Sequence, residues 1–237
     1  MFVALTLPLA GVIATPARGT TDGVTAVSQI ESTRAQALGG AATALGHDAA
    51  LAWLNPASLA GIPGQSVTLG GQRGFYGELT GHALWSRPVS SITIAAGVIY
   101  DDAGSVSLFA PDGSLHTLAL QQDFAGLAGI AGSISNVLVA GGSVKILSSR
   151  LVEAVTTSAV AVDFGVQASV SSRIKIGAAI RNAGSRLHYG EDPVSLPSTM
   201  HAGVATALPL GGPLTAIASG DLEYGAGSGV LDGHAGA

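Results

Sequence analysis

Two neighbouring segments alternate apolar and polar residues with period two, and only Ser171 and Ser172 separate them. Every even-numbered residue of 160–170 is apolar, whereas the odd positions include Asp163 and Gln167. In residues 173–181 the even positions carry isoleucine or alanine, and the odd positions carry mostly basic residues and glycine. Period two is the signature of a β-strand, and segments of about 9–12 residues can cross a bilayer when tilted. The pattern therefore predicts long antiparallel strands joined by tight hairpins.

The composition of the chain restricts the environment in which these strands can lie. The chain has 237 residues, of which 47% are hydrophobic and 11% charged, whereas a soluble domain carries about 25% charged residues. After the N-terminus no apolar run reaches the roughly 20 residues that a membrane-spanning helix needs. Two interpretations remain open here. The chain is either a very apolar soluble β-protein or a barrel whose apolar residues face lipid.

The lengths of the connections favour the barrel. Short links are predicted near residues 87–90, 133–135, 171–172 and 210–212, and longer links at 101–114, 148–155 and 182–197. Short and long links alternate in this way in up-and-down membrane barrels. About ten or eleven strands are predicted. A β-sandwich shows the same residue alternation, so alternation alone does not decide between the two folds.

Seven charged or amide side chains fall on the predicted inner faces of the strands. If the apolar faces meet lipid, these residues point into the lumen: Asp163, Gln167, Arg173, Lys175, Arg181, Asp221 and Glu223. They could line a polar channel or hold a plug, or they could form salt bridges that only stabilise a barrel. The residues themselves leave both interpretations open.

The first 64 residues lack the period-two alternation of the later segments. Residues 1–19 resemble a signal peptide with an apolar central region, although a buried N-terminal strand or helix is the alternative. Residues 34–45 are Ala-rich and predict a short helix that Gly39 and Gly40 interrupt. Asp48 is a candidate cap for a further helical turn over 49–54, which Pro56 would end.

Several short motifs occur in a recognisable order. In the N-terminal part these are Gly39-Gly40, Asp48-Ala49 and Asn55-Pro56-Ala57. In the predicted strand region they are Asp163-Phe164-Gly165, residues 176–184, Leu196-Pro197, His201-Ala202-Gly203, residues 221–224 and residues 233–237. With these motifs the chain resembles the PorV/PorQ family of FadL-like outer-membrane barrels.

The resemblance implies an all-β, antiparallel, up-and-down transmembrane barrel of roughly fourteen strands. Residues 20–64 would form a plug inside it, seated by Gly39, Gly40, Asp48, Asn55, Pro56 and Ala57, and residues 65–237 would supply the strands. The last strands of such a barrel would then be missing from this chain. An open sheet edge is costly in hydrocarbon, which leads to the expectation that the sequence is a fragment.

By the same resemblance, the function would be protein export of the type IX kind or passage of hydrophobic small molecules across a bacterial outer membrane. The implied partners are outer-membrane lipid, together with secretion-system subunits and cargo or a hydrophobic ligand. Five apolar residues of the plug could line a ligand pocket or only pack the plug: Leu38, Leu45, Leu51, Trp53 and Leu54. The alternative is a secreted, soluble β-sandwich with a structural or adhesin-like role.

The sequence does not indicate catalysis. It contains no G-x-S-x-G elbow and no Walker A loop. The six histidines show no metal-binding spacing and there is no cysteine, so neither a metal site nor a cofactor is predicted. With a net charge of −5 and no basic stripe, nucleic acid is not expected as a partner. We therefore expect a non-enzymatic protein.

Overall fold

The computed structural model describes residues 26–28, 32–75, 77–110, 112–152, 155–189, 192–211 and 214–237. The predicted signal peptide, residues 1–19, lies outside these ranges. The helices described are α1 (Thr33–Ala37) and two 3₁₀ helices, Ala49–Trp53 and Pro56–Leu59. None of the helices in the described ranges is long and apolar enough to span a membrane.

Strands form most of the described chain. In order they are β1 (Ser66–Arg73), β2 (Leu79–Val89), β3 (Ile92–Asp102), β4 (Ser105–Phe109), β5 (Leu115–Ala119), β6 (Gln121–Ser133), β7 (Leu138–Leu151), β8 (Val155–Ser169), β9 (Ile174–Gly184), β10 (Leu187–Tyr189), β11 (Asp192–Val194), β12 (Thr199–Gly211), β13 (Leu214–Gly225) and β14 (Leu231–Gly236).

Ten strands form one antiparallel sheet in the order β1-β2-β3-β6-β7-β8-β9-β12-β13-β14. The remaining strands form two small hairpins, β4–β5 and β10–β11. Each large strand pairs with the next large strand along the chain, which is the up-and-down topology expected from the sequence. A sandwich would divide the strands between two packed sheets. The described sheet is not closed, and β1 and β14 are its edges.

The two ends of the sheet differ in their connections. At one end, here called the turn end, short links join β2 to β3, β6 to β7, β8 to β9 and β12 to β13. At the other end, the loop end, the β4–β5 and β10–β11 hairpins lie in longer connections. The predicted long link at 148–155 is wrong, because only residues 152–154 separate β7 from β8. Ser149 and Arg150 continue the ladder and pair with Thr157 and Thr156.

The polarity of the sheet is the reverse of that in a soluble protein. On β8, Val160 and Phe164 are 51% and 60% exposed, whereas Asp163 on the opposite face is fully buried. The alternation predicted for this strand is therefore present. Its apolar side chains point outward, and its polar side chains point into the interior. A broad exposed apolar surface of this kind marks a contact with lipid or with another apolar partner.

Residues 32–62, here called the plug, lie against the inner face of the sheet. The first 3₁₀ helix contacts β1 and β2, and the second packs on β3, β6, β7 and β8. The backbone of Leu38 lies against Gly236 of β14. Strands from both edges of the sheet thus contact the plug, and the sheet wraps around it.

Gly39 and Gly40 interrupt the Ala-rich segment 34–45, as the sequence predicts. The helix α1 ends at Ala37, and the two glycines adopt φ of 60° and 89°. The amide of Gly40 donates to the Ala35 carbonyl at 2.9 Å, which satisfies the helix end. Asp48 caps the next helix as expected. Pro56 does more than end that helix, because it occupies the first position of a second one.

Candidate functional site

Asn55 links the plug to the wall. Its side chain is fully buried. The Oδ1 atom accepts from the Ala57 amide at 3.0 Å and so caps the second 3₁₀ helix, while Nδ2 donates to the Thr43 carbonyl at 2.8 Å. The same nitrogen lies 3.4 Å from the carbonyl oxygen of Val166 on β8. One amide therefore joins two parts of the plug at the surface of the sheet.

Glycines of the wall allow the plug backbone to come this close. Gly141 on β7 pairs directly with Gly165 on β8. A Cβ on Gly141 would lie 2.6 Å from the carbonyl group of Pro56, and a Cβ on Gly165 would overlap Asn55 Oδ1. At Gly177 on β9 it would overlap the Thr43 carbonyl. These positions need glycine because the plug occupies the space of a side chain, with its backbone at Gly141 and Gly177 and with the Asn55 side chain at Gly165.

Two of the predicted inward residues bind the plug backbone. Gln167 donates through Nε2 to the carbonyls of Thr43 at 3.0 Å and Leu45 at 2.6 Å. Asp221 Oδ2 accepts from the amides of Ala42 and Thr43, both at 2.8 Å. These side chains satisfy polar backbone groups of a segment that lacks regular secondary structure.

A buried ion pair lies beneath the plug. Lys145 Nζ is 2.7 Å from Asp163 Oδ2, and both side chains are fully buried. Lys145 also donates to Asn182 Oδ1 at 2.9 Å, and its ammonium lies 5.6 Å from the ring centre of Trp53. Asp163 further accepts from the Ser143 hydroxyl at 3.0 Å. The charges are thus paired and hydrogen-bonded, as burial requires.

A β-bulge sets the geometry of this pair. The register of β8 against β9 shifts between Val162 and Phe164, the positions on either side of Asp163. Opposite the shift, Asn182 adopts a φ of 53°, a conformation that asparagine tolerates. Its amide then donates to Asp163 Oδ1 at 2.7 Å. The bulge turns a backbone donor toward the carboxylate.

Arg181 and Glu223 lie beside this cluster. Arg181 is buried and donates from Nη2 to the Val27 carbonyl at 2.9 Å, while its Nη1 lies 3.4 Å from His201. Glu223 is half-buried, and His234 Nε2 lies 3.2 Å from its carboxylate. The other ring nitrogen of His234 is 3.2 Å from the Gly39 carbonyl, which brings the plug close to β14.

The last two predicted inward residues, Arg173 and Lys175, are more accessible. Arg173 lies in the turn that precedes β9 and is exposed, and Lys175 is half-buried near the start of that strand. Both line a cavity of about 290 Å³ at the turn end, between the plug and the wall. They therefore lie apart from the Lys145–Asp163 pair.

The remaining predicted plug residues shape the plug itself. Asp48 accepts from the Ala50 amide at 3.0 Å and from the Ser32 hydroxyl at 2.7 Å. Pro56 and Ala57 are buried against β7. Five apolar plug residues were predicted either to line a ligand pocket or to pack the plug, and all five are buried in apolar clusters between plug and wall: Leu38, Leu45, Leu51, Trp53 and Leu54. Of these five, only Leu45 also lines the turn-end cavity.

No contact with the plug or the ion pair was predicted for Lys145, Asn182 or the wall glycines, although Gly165, Gly177 and Asn182 stand within the motifs named above. Strand alternation could have predicted that Lys145 points inward, because its neighbours Val144 and Ile146 face outward. The motif over residues 176–184 includes Asn182, but its contact with Asp163 depends on the bulge and could not be predicted from the sequence. Among the described residues, no group of three or more histidine or acidic side chains could hold a metal ion.

Comparison with known proteins reveals a likeness of structure but not of sequence. No protein-family model matches the chain, and no curated protein matches it either. The chain is similar to the crystal structure of the Ralstonia pickettii toluene transporter TbuX, with a TM-score of 0.54, 12% identity and coverage of 85% of this chain and 77% of that one. It is also similar to the Pseudomonas putida toluene transporter TodX, with a TM-score of 0.55, 12% identity and coverage of 80% and 69%. These matches confirm the FadL-like antiparallel fold expected from the sequence.

Proposed function

We propose that this protein lies in a bacterial outer membrane and forms a plugged pathway for hydrophobic small molecules. The observation that carries the proposal is the reversed polarity of the sheet. Large apolar side chains cover the outer face, while Lys145, Asp163 and Arg181 are buried inside. Outer-membrane lipid is the partner that suits such an outer face.

The structural neighbours support the choice of cargo. Both are named as toluene transporters, and a similar fold does not by itself establish a shared function. In this chain, apolar clusters fill the space between plug and wall, and they include Leu51, Trp53 and Leu59. A small hydrophobic molecule would meet these residues if the plug shifted. We therefore propose small apolar molecules as the cargo.

Uptake by whole cells tests the proposal. Toluene dissolves in phospholipid, so the assay needs a host whose outer leaflet is intact lipopolysaccharide and which has no transporter of its own. Expression of the protein is expected to place it in the outer-membrane fraction and to raise the rate of labelled toluene uptake. Uptake of a labelled sugar should not change. Unchanged toluene uptake by a protein that has reached the outer membrane contradicts the transport proposal.

Matched asparagine variants show whether the plug controls this pathway. Asn55→Ala removes one of the contacts between plug and wall, whereas Asn136→Ala alters an exposed turn. The first variant is expected to change toluene uptake, because the plug is less firmly seated, and the second is expected to behave like the parent. If both variants match the parent, the plug residues near Asn55 do not limit passage.

Protein export of the PorV/PorQ type is the second proposal, and it rests on the motifs of the plug and strands alone. It predicts secretion-system subunits and cargo as partners. Crosslinking in a host that has such a system, followed by identification of bound proteins, distinguishes it from small-molecule passage. Recovery of those subunits with a protein that does not raise toluene uptake would favour export.

A further inference from the structure

His234 on β14 faces a hydrogen-bond acceptor with each of its two ring nitrogens. Its Nδ1 atom lies 3.2 Å from the carbonyl oxygen of Gly39 in the plug, and its Nε2 atom lies 3.2 Å from a carboxylate oxygen of Glu223 on β13. A peptide carbonyl cannot donate a hydrogen bond, and neither can an ionised carboxylate. Both nitrogens of His234 must therefore carry a hydrogen if the ring is to bond both partners.

The protonation state of His234 decides whether both bonds exist. A neutral imidazole carries a hydrogen on only one nitrogen, whereas the imidazolium carries one on each. In the neutral ring, one nitrogen would point its lone pair at an oxygen atom 3.2 Å away. Either the contact with Gly39 or the contact with Glu223 would then be repulsive. The observed arrangement therefore fits the imidazolium, and loss of the proton weakens one of the two contacts.

The neighbouring histidine of the wall is arranged differently. The Nε2 atom of His201 on β12 lies 3.4 Å from Nη1 of Arg181, and an arginine nitrogen can only donate. This nitrogen of His201 therefore accepts, and its ring is neutral. The other charged groups around His234 are three acidic residues: Asp221, Glu223 and Asp232. Of the two histidines, His234 is thus the one whose protonation the hydrogen bonds require.

The backbones of the plug and β14 touch directly beside His234. A Cβ on Gly39 would lie 2.8 Å from the carbonyl oxygen of Ala235, and a Cβ on Gly236 would overlap the backbone of Leu38. The bond from His234 to the Gly39 carbonyl lies at this contact. A change in that bond therefore acts where the plug is closest to β14.

We propose that His234 is a proton-dependent latch, whose imidazolium links Gly39 of the plug to Glu223 of the wall. When His234 loses its proton, one of the two bonds is lost and the plug loosens from β14. The side chains of Asn55 and Gln167 hold the plug through amide groups, which do not titrate, so the loosening is local. This inference goes beyond the proposed function, because it concerns how the plug is held and applies whatever molecule passes.

Spin labelling tests the latch in the full chain. The protein has no cysteine, so Ala37→Cys provides a single attachment site, exposed at the end of α1 and close to Gly39. The mobility of the nitroxide is measured in neutral detergent from about pH 5 to about pH 9, a range that includes the titration of histidine. The label is expected to be immobile at the acid end and mobile at the alkaline end. Equal mobility across the range overturns the proposal.

Variants of the labelled protein separate the latch from a general effect of pH. His234→Gln is expected to abolish the pH response, whereas His116→Gln, which alters an exposed histidine of β5, should retain it. Glu223→Gln should also abolish the response but keep the label immobile at the alkaline end, because its amide can donate to the bare nitrogen of a neutral His234. A pH response that survives His234→Gln contradicts the proposal. None of these measurements needs a transported molecule, so their failure leaves the transport proposal standing.

Discussion

The only two lysines of the chain point to the same side of the sheet but lie in opposite settings. Lys145 is fully buried, 2.7 Å from Asp163 and near the Trp53 ring. Lys175 is half-buried at the edge of a cavity and lacks a carboxylate partner in the described part of the chain. Strand alternation directs both inward. The plug causes the difference, because it covers the first lysine and leaves the second at its margin.

The two settings imply different roles for the two lysines. A buried charge is costly unless a partner compensates it. The Lys145 ammonium is compensated by Asp163 and also donates a hydrogen bond to Asn182. A partly solvated cation carries little of that cost and remains available to a ligand. The comparison therefore predicts that changes around Lys145 alter the free energy of unfolding strongly, whereas changes around Lys175 alter it little.

Asp163→Asn tests the first half of the comparison and has the largest expected effect. It leaves the Lys145 ammonium buried without a counter-charge, which lowers the free energy of unfolding by about 3–5 kcal/mol. Urea unfolding of the protein in lipid vesicles measures the change. Asp232→Asn is the control, because Asp232 is exposed on β14.

A double variant shows whether the loss comes from the unpaired charge. Replacing Lys145 with Met and Asp163 with Leu removes both charges together. Most of the lost stability should return, since a well-packed apolar pair often replaces a buried ion pair without loss. If Asp163→Asn is as stable as Asp232→Asn, the pair does not stabilise the fold and the proposed contrast between the lysines fails.

Gly165→Ala perturbs the contact between plug and wall without changing any charge. The new Cβ would overlap Asn55 Oδ1, so the plug has to move. Overpacking of this kind lowers the free energy of unfolding by about 1–3 kcal/mol. Limited proteolysis should also cut the plug faster. Gly142→Ala is the control, because its Cβ would meet only ordinary contacts at 3.6 Å or more.

The sequence predicted the strands and their faces because period-two alternation is a local property. It placed Asp163 and Gln167 inside, and the same alternation pointed to Lys145. It could not predict which inward residues meet each other, since that depends on the path of the plug and on the bulge opposite Asn182. The interruption of the Ala-rich segment 34–45 by Gly39 and Gly40 was also predicted, because glycine adopts the positive φ that ends α1 there.

Asn55→Ala removes hydrogen bonds and has a smaller expected effect. The variant loses the cap of the second 3₁₀ helix and leaves the Thr43 carbonyl with fewer donors. Together these changes lower the free energy of unfolding by about 1–2 kcal/mol. Asn136→Ala, in an exposed turn, should lie within about 0.5 kcal/mol of the parent. Equal stability of the two variants would show that Asn55 does not hold the plug.

Lys175→Gln completes the comparison and has the smallest expected effect on stability. The substitution removes one of three like charges around the cavity and breaks no ion pair in the described part of the chain. The free energy of unfolding should therefore stay within about 0.5 kcal/mol of the parent when no ligand is added. A large loss of stability without ligand would mean that Lys175, like Lys145, serves the fold, and the division between the two lysines would not hold.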